Sequence, residues 1–236
     1  MPSVCLYFHV HQPIRLNKFR VFSKRGPSLA ATYFNDELNK HYFQKAVRQC
    51  YLPANKVLLN AAREGGFKAS FSVTGTFVEQ AKRFAPEVLD SFKALAETGC
   101  IDFVAETFSH SLASLYQDPG EFREQVRMHS RMLRQEFGAR PSVFRNTEVI
   151  YSNDVGREAA AMGFSAVLAE GFESVLGWRS PNYVYRAKGS SPKILFRNYR
   201  LSDDVGYRFG ARWWKEWPLT ADKYASWLAA AEGHTV

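Results

Sequence analysis

Short apolar runs alternate with amphipathic helical segments along the chain, and this alternation limits its fold most strongly. The runs that we predict as strands are residues 3–10, 68–73, 100–105, 142–146, 164–169 and 193–198, with residues 234–236 beginning a seventh. We predict helices over residues 36–51, 54–64, 76–97, 121–137, 154–162 and 221–232. Strands separated by helices pair in parallel through right-handed crossovers, so the sequence predicts an α/β fold.

Local signals set the boundaries of these elements. Pro53 should separate the first two helices, Pro86 should interrupt the third, and Gly65 with Gly66 should end the second. No linker, internal repeat or low-complexity segment divides the chain. A hydrophobic content of 46% over 236 residues is ample for one core, so we expect a single domain spanning residues 1–236.

Charge and cysteine content exclude several classes of protein. The net charge is +8, but the 31 Lys and Arg residues are scattered, so we expect no nucleic-acid partner. Cys5, Cys50 and Cys100 are odd in number and form no CxxC pair, as in a reduced, cytoplasmic protein. No leader and no apolar run of about 18 residues is visible, so we expect a soluble chain without a membrane partner.

One carboxylate follows the fourth predicted strand, in the sequence FRNTEVIYSN of residues 144–153. Residues at the carboxyl ends of parallel strands carry the chemistry of barrel enzymes, which makes Glu148 a candidate catalytic group. Its position alone is more typical of a structural role, in which a helix dipole stabilises the charge of Glu148.

A histidine pair lies in the first predicted strand, in the sequence FHVHQP of residues 8–13. His9 and His11 are two residues apart, so both side chains point to the same side of a strand. Two imidazoles with a carboxylate are a catalytic zinc arrangement, whereas two hydrogen-bonded core histidines are the structural alternative.

Together these two segments resemble glycoside hydrolase family 57, whose members are retaining enzymes acting on α-glucans. The resemblance implies a distorted (β/α)7 barrel, Glu148 as the nucleophile and His11 as a ligand of sugar hydroxyls. We retain the neighbouring His9 as a further candidate substrate ligand. The resemblance also implies an α-glucan or maltooligosaccharide substrate, and neither metal nor cofactor. It does not distinguish hydrolysis from transfer to another sugar.

Retaining glycosidases need a second carboxyl group as proton donor. In the family this acid is an Asp in a fourth motif, which has no counterpart before Val236. We therefore expect the chain to stop inside the barrel, before its seventh strand, with the acid outside residues 1–236.

Residues 99–112 are similar to the family's second motif, with Asp102 where the family usually has Glu. Alternation along a strand places Asp102, Val104 and Glu106 on one face, so both carboxylates should point into the barrel together, with His110 on the loop above. Asp102, Glu106 and His110 are therefore candidate substrate ligands. A buried carboxylate paired with an Arg is the structural alternative for Glu106.

Two further candidates follow the sixth predicted strand. Asp203 and Asp204 suit either the cap of a helix or a site carboxylate, and we retain Asp204 as a substrate ligand. Trp213, Trp214 and Trp217 suit either sugar stacking or ordinary packing, and Trp214 is the candidate retained.

Two other functions fit the same residues. A metal-dependent polysaccharide deacetylase would use His9, His11 and Asp102 as ligands, and metal analysis would distinguish it. A non-catalytic glucan-binding fragment is the third possibility.

Overall fold

The computed structural model describes residues 2–18, 22, 26–187, 189 and 191–236. The strands of this part are β1 (Tyr7–Val10), β2 (Ala69–Val73), β3 (Ile101–Phe103), β4 (Val143–Arg145), β5 (Ala166–Glu170), β6 (Tyr185–Arg186) and β7 (Lys193–Arg197). Its α-helices are α1 (Leu29–Tyr33), α2 (Asp36–Ala46), α3 (Leu52–Glu64), α4 (Gly75–Phe84), α5 (Pro86–Glu97), α6 (Gly120–Phe137), α7 (Asn153–Ala161), α8 (Glu173–Leu176), α9 (Tyr199–Gly206) and α10 (Ala221–Ala230).

The chain forms two compact units. Unit 2 comprises Tyr7–Ser111 and Glu124–Arg140, and unit 1 comprises Leu112–Arg123, Pro141–Val236 and the N-terminal residues through Leu6. The expectation of a single folding domain stays a prediction.

Unit 2 is built on a parallel sheet of order β1-β2-β3. Its core is a cluster of phenylalanines, in which Phe77 lies between Phe43 and Phe92 at centroid distances of 5.3 and 5.8 Å. All three side chains are at most 1% exposed, and burial of each contributes about 1.5–3 kcal/mol. Phe71 of β2 contacts Phe92, which fixes the sheet against helix α5.

The helices α2 and α3 are joined without a break by a π-helical turn, Val47–Tyr51. The predicted interruption at Pro53 is therefore wrong. Proline lacks an amide hydrogen and crowds the preceding turn, but here it occupies the first turn of α3, where the wider π turn accommodates it. The predicted end at Gly65 is confirmed, with φ 91° at that residue.

Unit 1 is built on a second sheet, of order β4-β5-β7-β6. Three of its strands are parallel, as predicted, while the two-residue strand β6 is antiparallel to β7 and was not predicted. Phe144 of β4 is fully buried between Phe122 of α6 and Phe164. The last residues also pair in parallel, since Cys5 donates its amide to the Val236 carbonyl at 2.8 Å.

The α/β class with parallel sheets is confirmed by this arrangement. Within the described ranges, none of the helices combines the length and apolarity that crossing a bilayer requires.

Candidate active site

The carboxyl ends of β1, β2 and β3 meet at one edge of the unit 2 sheet. Several of the candidate site residues lie at this edge. His9 is in β1 and His11 directly follows it, while Glu106 and His110 follow β3. The rings of His9 and His11 are nearly parallel, at 7°, with centroids 6.0 Å apart. The predicted common orientation of the two histidines is therefore confirmed.

Glu106 is the centre of this cluster. Its side chain is fully buried, and its Oε2 lies 3.3 Å from His9 Nε2 and 3.1 Å from His110 Nδ1. Burial by itself raises the pKa of Glu106, but the hydrogen bonds from His110 and His9 and the charge on His9 outweigh it, so the pKa lies well below its usual range. The carboxylate is thus ionised and held by imidazoles, rather than by the arginine considered from the sequence.

His129 of α6 holds the backbone of Glu106 in place. Sequence reasoning did not identify this residue. Its Nδ1 accepts a hydrogen bond from the Glu106 amide at 3.1 Å, and its Nε2 lies 2.8 Å from the Val73 carbonyl. An acceptor at Nδ1 requires the proton at Nε2, so the ring is the neutral Nε2–H tautomer. The available signal was its place in the apolar stripe of α6, between the buried Val126 and Leu133.

The loop that carries Glu106 and His110 is fixed from two sides. The amide of Ser109 donates to Gln125 Oε1 at 2.9 Å, and the Phe108 carbonyl accepts from the Gly75 amide at 2.8 Å. His110 has φ 55°, a left-handed conformation that is uncommon for a side-chain-bearing residue. The position of the His110 ring is therefore determined by the backbone of a well-anchored loop.

His11 lies beside this cluster, with its ring centroid 4.5 Å from that of His110. Its Nδ1 is 3.0 Å from Thr74 Oγ1, at the N-cap of α4. The following Gln12 is also anchored, because its side chain donates to the Tyr51 hydroxyl at 3.0 Å. These contacts orient the histidine at the sheet edge.

Asp102 does not point to the same place as Glu106. β3 ends at Phe103, so the alternation that would align the two carboxylates stops before Glu106. Asp102 is exposed and pairs in register with Ser70, whereas Glu106 is buried among imidazoles. The expectation that both carboxylates point inward together is therefore wrong.

The ligand atoms of His9, Glu106 and His110 lie within 4.8 Å of one another, which makes these residues a group able to hold a metal ion. Asp102 is not in that group. The ligand set considered from the sequence, His9, His11 and Asp102, is thus not the one that the described residues bring together.

Glu148 lies in unit 1, in a 3₁₀ turn directly after β4. Its φ is 53° and that of Val149 is 55°. A left-handed conformation costs about 1–2 kcal/mol in a residue other than glycine, and a β-branched valine is particularly disfavoured there. The buried Asn146 stabilises the turn by donating to Ile150 O at 3.0 Å and Ser114 Oγ at 2.9 Å, which leaves Glu148 exposed.

Other charged residues of unit 1 lie near the ends of its parallel strands. Arg197, the last residue of β7, donates to Glu170 Oε2 of β5 at 2.9 Å and also contacts Asp203. Glu170 and Arg197 line a concave surface together with Phe172 and Tyr199. Sequence reasoning did not identify Glu170 or Arg197, although Glu170 directly follows the predicted strand 164–169 and Arg197 lies one residue before the end of the predicted strand 193–198.

Asp204 and Trp214 are both engaged in contacts within unit 1. Asp204 of α9 accepts from Nε of Arg208, which lies just beyond the end of that helix, at 2.8 Å. The N-cap of α9 is Asn198, so the predicted capping role of the aspartates is wrong. Trp214 packs edge-on against Trp227 of α10, with centroids 6.1 Å apart. Their roles as substrate ligands stay predictions.

A family model and a curated relative point to one family. The model of "Glycosyl hydrolase family 57" matches residues 5–236. A protein from Methanocaldococcus jannaschii that carries the provisional name alpha-amylase is 49% identical over 229 residues, which are 97% of this chain and 48% of that protein. The chain thus spans about half the length of this curated relative.

Solved structures share the fold. The 4-alpha-glucanotransferase of Thermococcus litoralis has a TM-score of 0.66 at 16% identity, over 88% of this chain and 29% of that one. The GH57 branching enzyme of Thermococcus kodakaraensis has a TM-score of 0.64 at 12% identity, over 94% of this chain and 53% of that one. On the family match and on the identity to the M. jannaschii protein, the chain belongs to glycosyl hydrolase family 57.

Proposed function

We propose that the protein containing this chain transfers glucosyl units of α-glucans with retention of configuration, and that Glu148 is its nucleophile. Family membership supports the reaction class. The names of the relatives, an alpha-amylase, a 4-alpha-glucanotransferase and a branching enzyme, support a glucan or maltooligosaccharide substrate.

The observation that carries the assignment of Glu148 is its backbone conformation. An exposed carboxylate at the carboxyl end of a parallel strand is held in a left-handed turn, next to a valine in the same unfavourable region. Such conformations persist only where the surroundings enforce them, and they cluster at catalytic sites. A purely structural glutamate after a strand gains nothing from this conformation.

In the proposed reaction, a Glu148 carboxylate oxygen attacks the anomeric carbon as the glycosidic bond breaks. The leaving oxygen takes a proton from a second carboxylic acid, and a glycosyl ester of Glu148 results. Water or a sugar hydroxyl then attacks the same carbon, returns its proton to that acid and releases the carboxylate. We assign the acid to a segment outside residues 1–236.

Substrate binding is assigned in this proposal to His11 and to the remaining candidates, which are His9, Asp102, Glu106, His110, Asp204 and Trp214. His11 is the best supported, because Thr74 fixes the orientation of its ring. An oriented imidazole can donate to or accept from a sugar hydroxyl.

The test is a labelling experiment with the full-length protein. A fluoro-sugar inactivator of retaining α-glucosidases should modify Glu148, and peptide mapping should locate the ester. Glu148→Gln should lower the turnover of maltooligosaccharides by roughly 10³-fold or more while maltooligosaccharide binding remains. Glu64→Gln, at the exposed end of α3, is the matched control and should keep wild-type turnover.

A label on another carboxylate, or more than a tenth of wild-type turnover in Glu148→Gln, would exclude Glu148 as the nucleophile.

A further inference from the structure

The cluster around Glu106 has the composition and spacing of a zinc site. Tetrahedral zinc with bonds of about 2.0–2.2 Å requires its ligand atoms to be about 3.3–3.5 Å apart. The Glu106 Oε2 atom is 3.3 Å from His9 Nε2 and 3.1 Å from His110 Nδ1, and all three ligand atoms are within 4.8 Å of one another. Small shifts of two side chains would bring an ion into the centre of this triangle.

The ligands are held in place by groups that are not ligands themselves. His129 accepts from the Glu106 amide through Nδ1, and its Nε2 contacts the Val73 carbonyl, so both of its ring nitrogens are in use. The left-handed backbone at His110 is fixed by Thr107, whose Oγ1 accepts from the Ser111 amide at 2.9 Å. Supporting contacts of this kind preorganise metal sites and raise their affinity.

The cluster is accessible on one side. The His9 side chain is 24% exposed and that of His110 is 11% exposed, while Glu106 is fully buried. An ion therefore has a path to the carboxylate between the two imidazoles. His11 is adjacent but is not among the residues whose ligand atoms lie within 4.8 Å of one another, so the cluster supplies three ligands and a tetrahedral ion would have a fourth position for another group.

We propose that His9, Glu106 and His110 bind one Zn²⁺ ion, with the fourth position available to water or to a sugar hydroxyl. Two imidazoles and a carboxylate suit zinc better than the oxygen-seeking Mg²⁺ or Ca²⁺. Without the ion, protons shared between the carboxylate and the imidazoles hold the same three groups together, and zinc replaces those protons. The proposal goes beyond the glycosyl transfer assigned to Glu148, which requires no metal.

Metal binding can be measured directly on the full-length protein. After treatment with EDTA and dialysis, isothermal titration with ZnCl₂ should show a site with a micromolar or tighter dissociation constant. His9→Ala and His110→Ala should each weaken this site roughly 100-fold or more, because each removes one of three ligands. His41→Ala, at an exposed histidine of α2, should leave the titration unchanged.

Two further measurements keep the result decisive if a variant folds poorly. Zinc should raise the melting temperature of the wild-type protein but not that of His9→Ala. Co²⁺ bound to the wild type should show the intense visible bands of a four-coordinate site, and one equivalent of zinc should remove them. An absence of zinc binding, or zinc binding that survives both histidine variants, would overturn the proposal whatever the outcome of the Glu148 labelling.

Discussion

Replacing His129 by leucine removes two buried hydrogen bonds and keeps a side chain of similar volume. The change leaves the Glu106 amide and the Val73 carbonyl without the imidazole between them. An unsatisfied buried polar group costs about 1–3 kcal/mol. Leucine fills the space, so we expect little destabilisation from a cavity. The two unsatisfied groups should lower the free energy of unfolding by about 2–6 kcal/mol.

The assay is urea and thermal unfolding of the full-length protein, with hydrogen exchange of the Glu106 peptide as the local readout. A loss of this size corresponds to a decrease in melting temperature of about 4–24 °C in a domain of 150–250 residues. His41→Leu, at an exposed position, should change stability by less than about 0.5 kcal/mol. If His129→Leu melts with the wild type and keeps the Glu106 amide protected, the two hydrogen bonds do not stabilise unit 2 as argued.

The difference in stability between the wild type and His129→Leu should depend on pH in a definite direction. Burial lowers the pKa of His129 below its ordinary value of 6.5, outweighing the nearby charge of Glu106 and the hydrogen bond to Val73. Below pH 6.5 the unfolded chain therefore takes up a proton that the folded chain excludes, and the wild type loses stability. The leucine variant lacks this group, so the stability difference between the two proteins should narrow as the pH falls from 7.5 to 5.5, by at most about 1.4 kcal/mol per pH unit. A difference that widens on acidification would refute the neutral tautomer.

Two other substitutions, Gly75→Ala with a control at Gly206 and His11→Ala, test the geometry of the site. Gly75→Ala would place a methyl group 2.2 Å from Phe108 Cε2, so it should destabilise the protein by about 1–3 kcal/mol and weaken zinc binding by moving the loop. Gly206→Ala, where an added Cβ meets nothing within 4 Å, should be neutral or stabilise slightly, and a calorimeter distinguishes the two variants. His11→Ala should weaken maltooligosaccharide binding by about 1–3 kcal/mol in a titration and leave zinc binding intact, and a loss of zinc would place His11 among the ligands.

Much of the framework was predictable because it depends on local patterns. The apolar runs at β2 and β5 and the glycine after α3 act over a few residues, and the structure confirms them. Glu148 was a candidate from its position after a strand, and the family resemblance implied its role as nucleophile. The helix predicted from residue 154 begins one residue earlier, at Asn153. The left-handed backbone of Glu148 was not predictable, because Asn146 and Ser114 enforce it across the fold.

The environment of Glu106 was predicted incorrectly for a related reason. Strict alternation holds only while a strand continues, and nothing in the residues after Phe103 marks where pairing ends. The two partners that determine the ionisation of Glu106 differ in sequence distance, since His110 is four residues away and His9 is far along the chain. The sequence shows His129 as a polar residue in an apolar stripe, but it does not show which groups His129 hydrogen-bonds.

The π-helical turn between α2 and α3 has a consequence for the angular position of side chains around this long helix. Each α-helical residue rotates the chain by about 100°, so the extra residue in a π turn rotates everything before it relative to everything after it by about that amount. Phe43 before the turn and Ala62 after it are both buried, and Tyr51 at its end reaches Gln12. In a regular α-helix of the same sequence, one of these side chains would face solvent. The π turn therefore lets a single helix both pack in the core and hold the segment that follows β1.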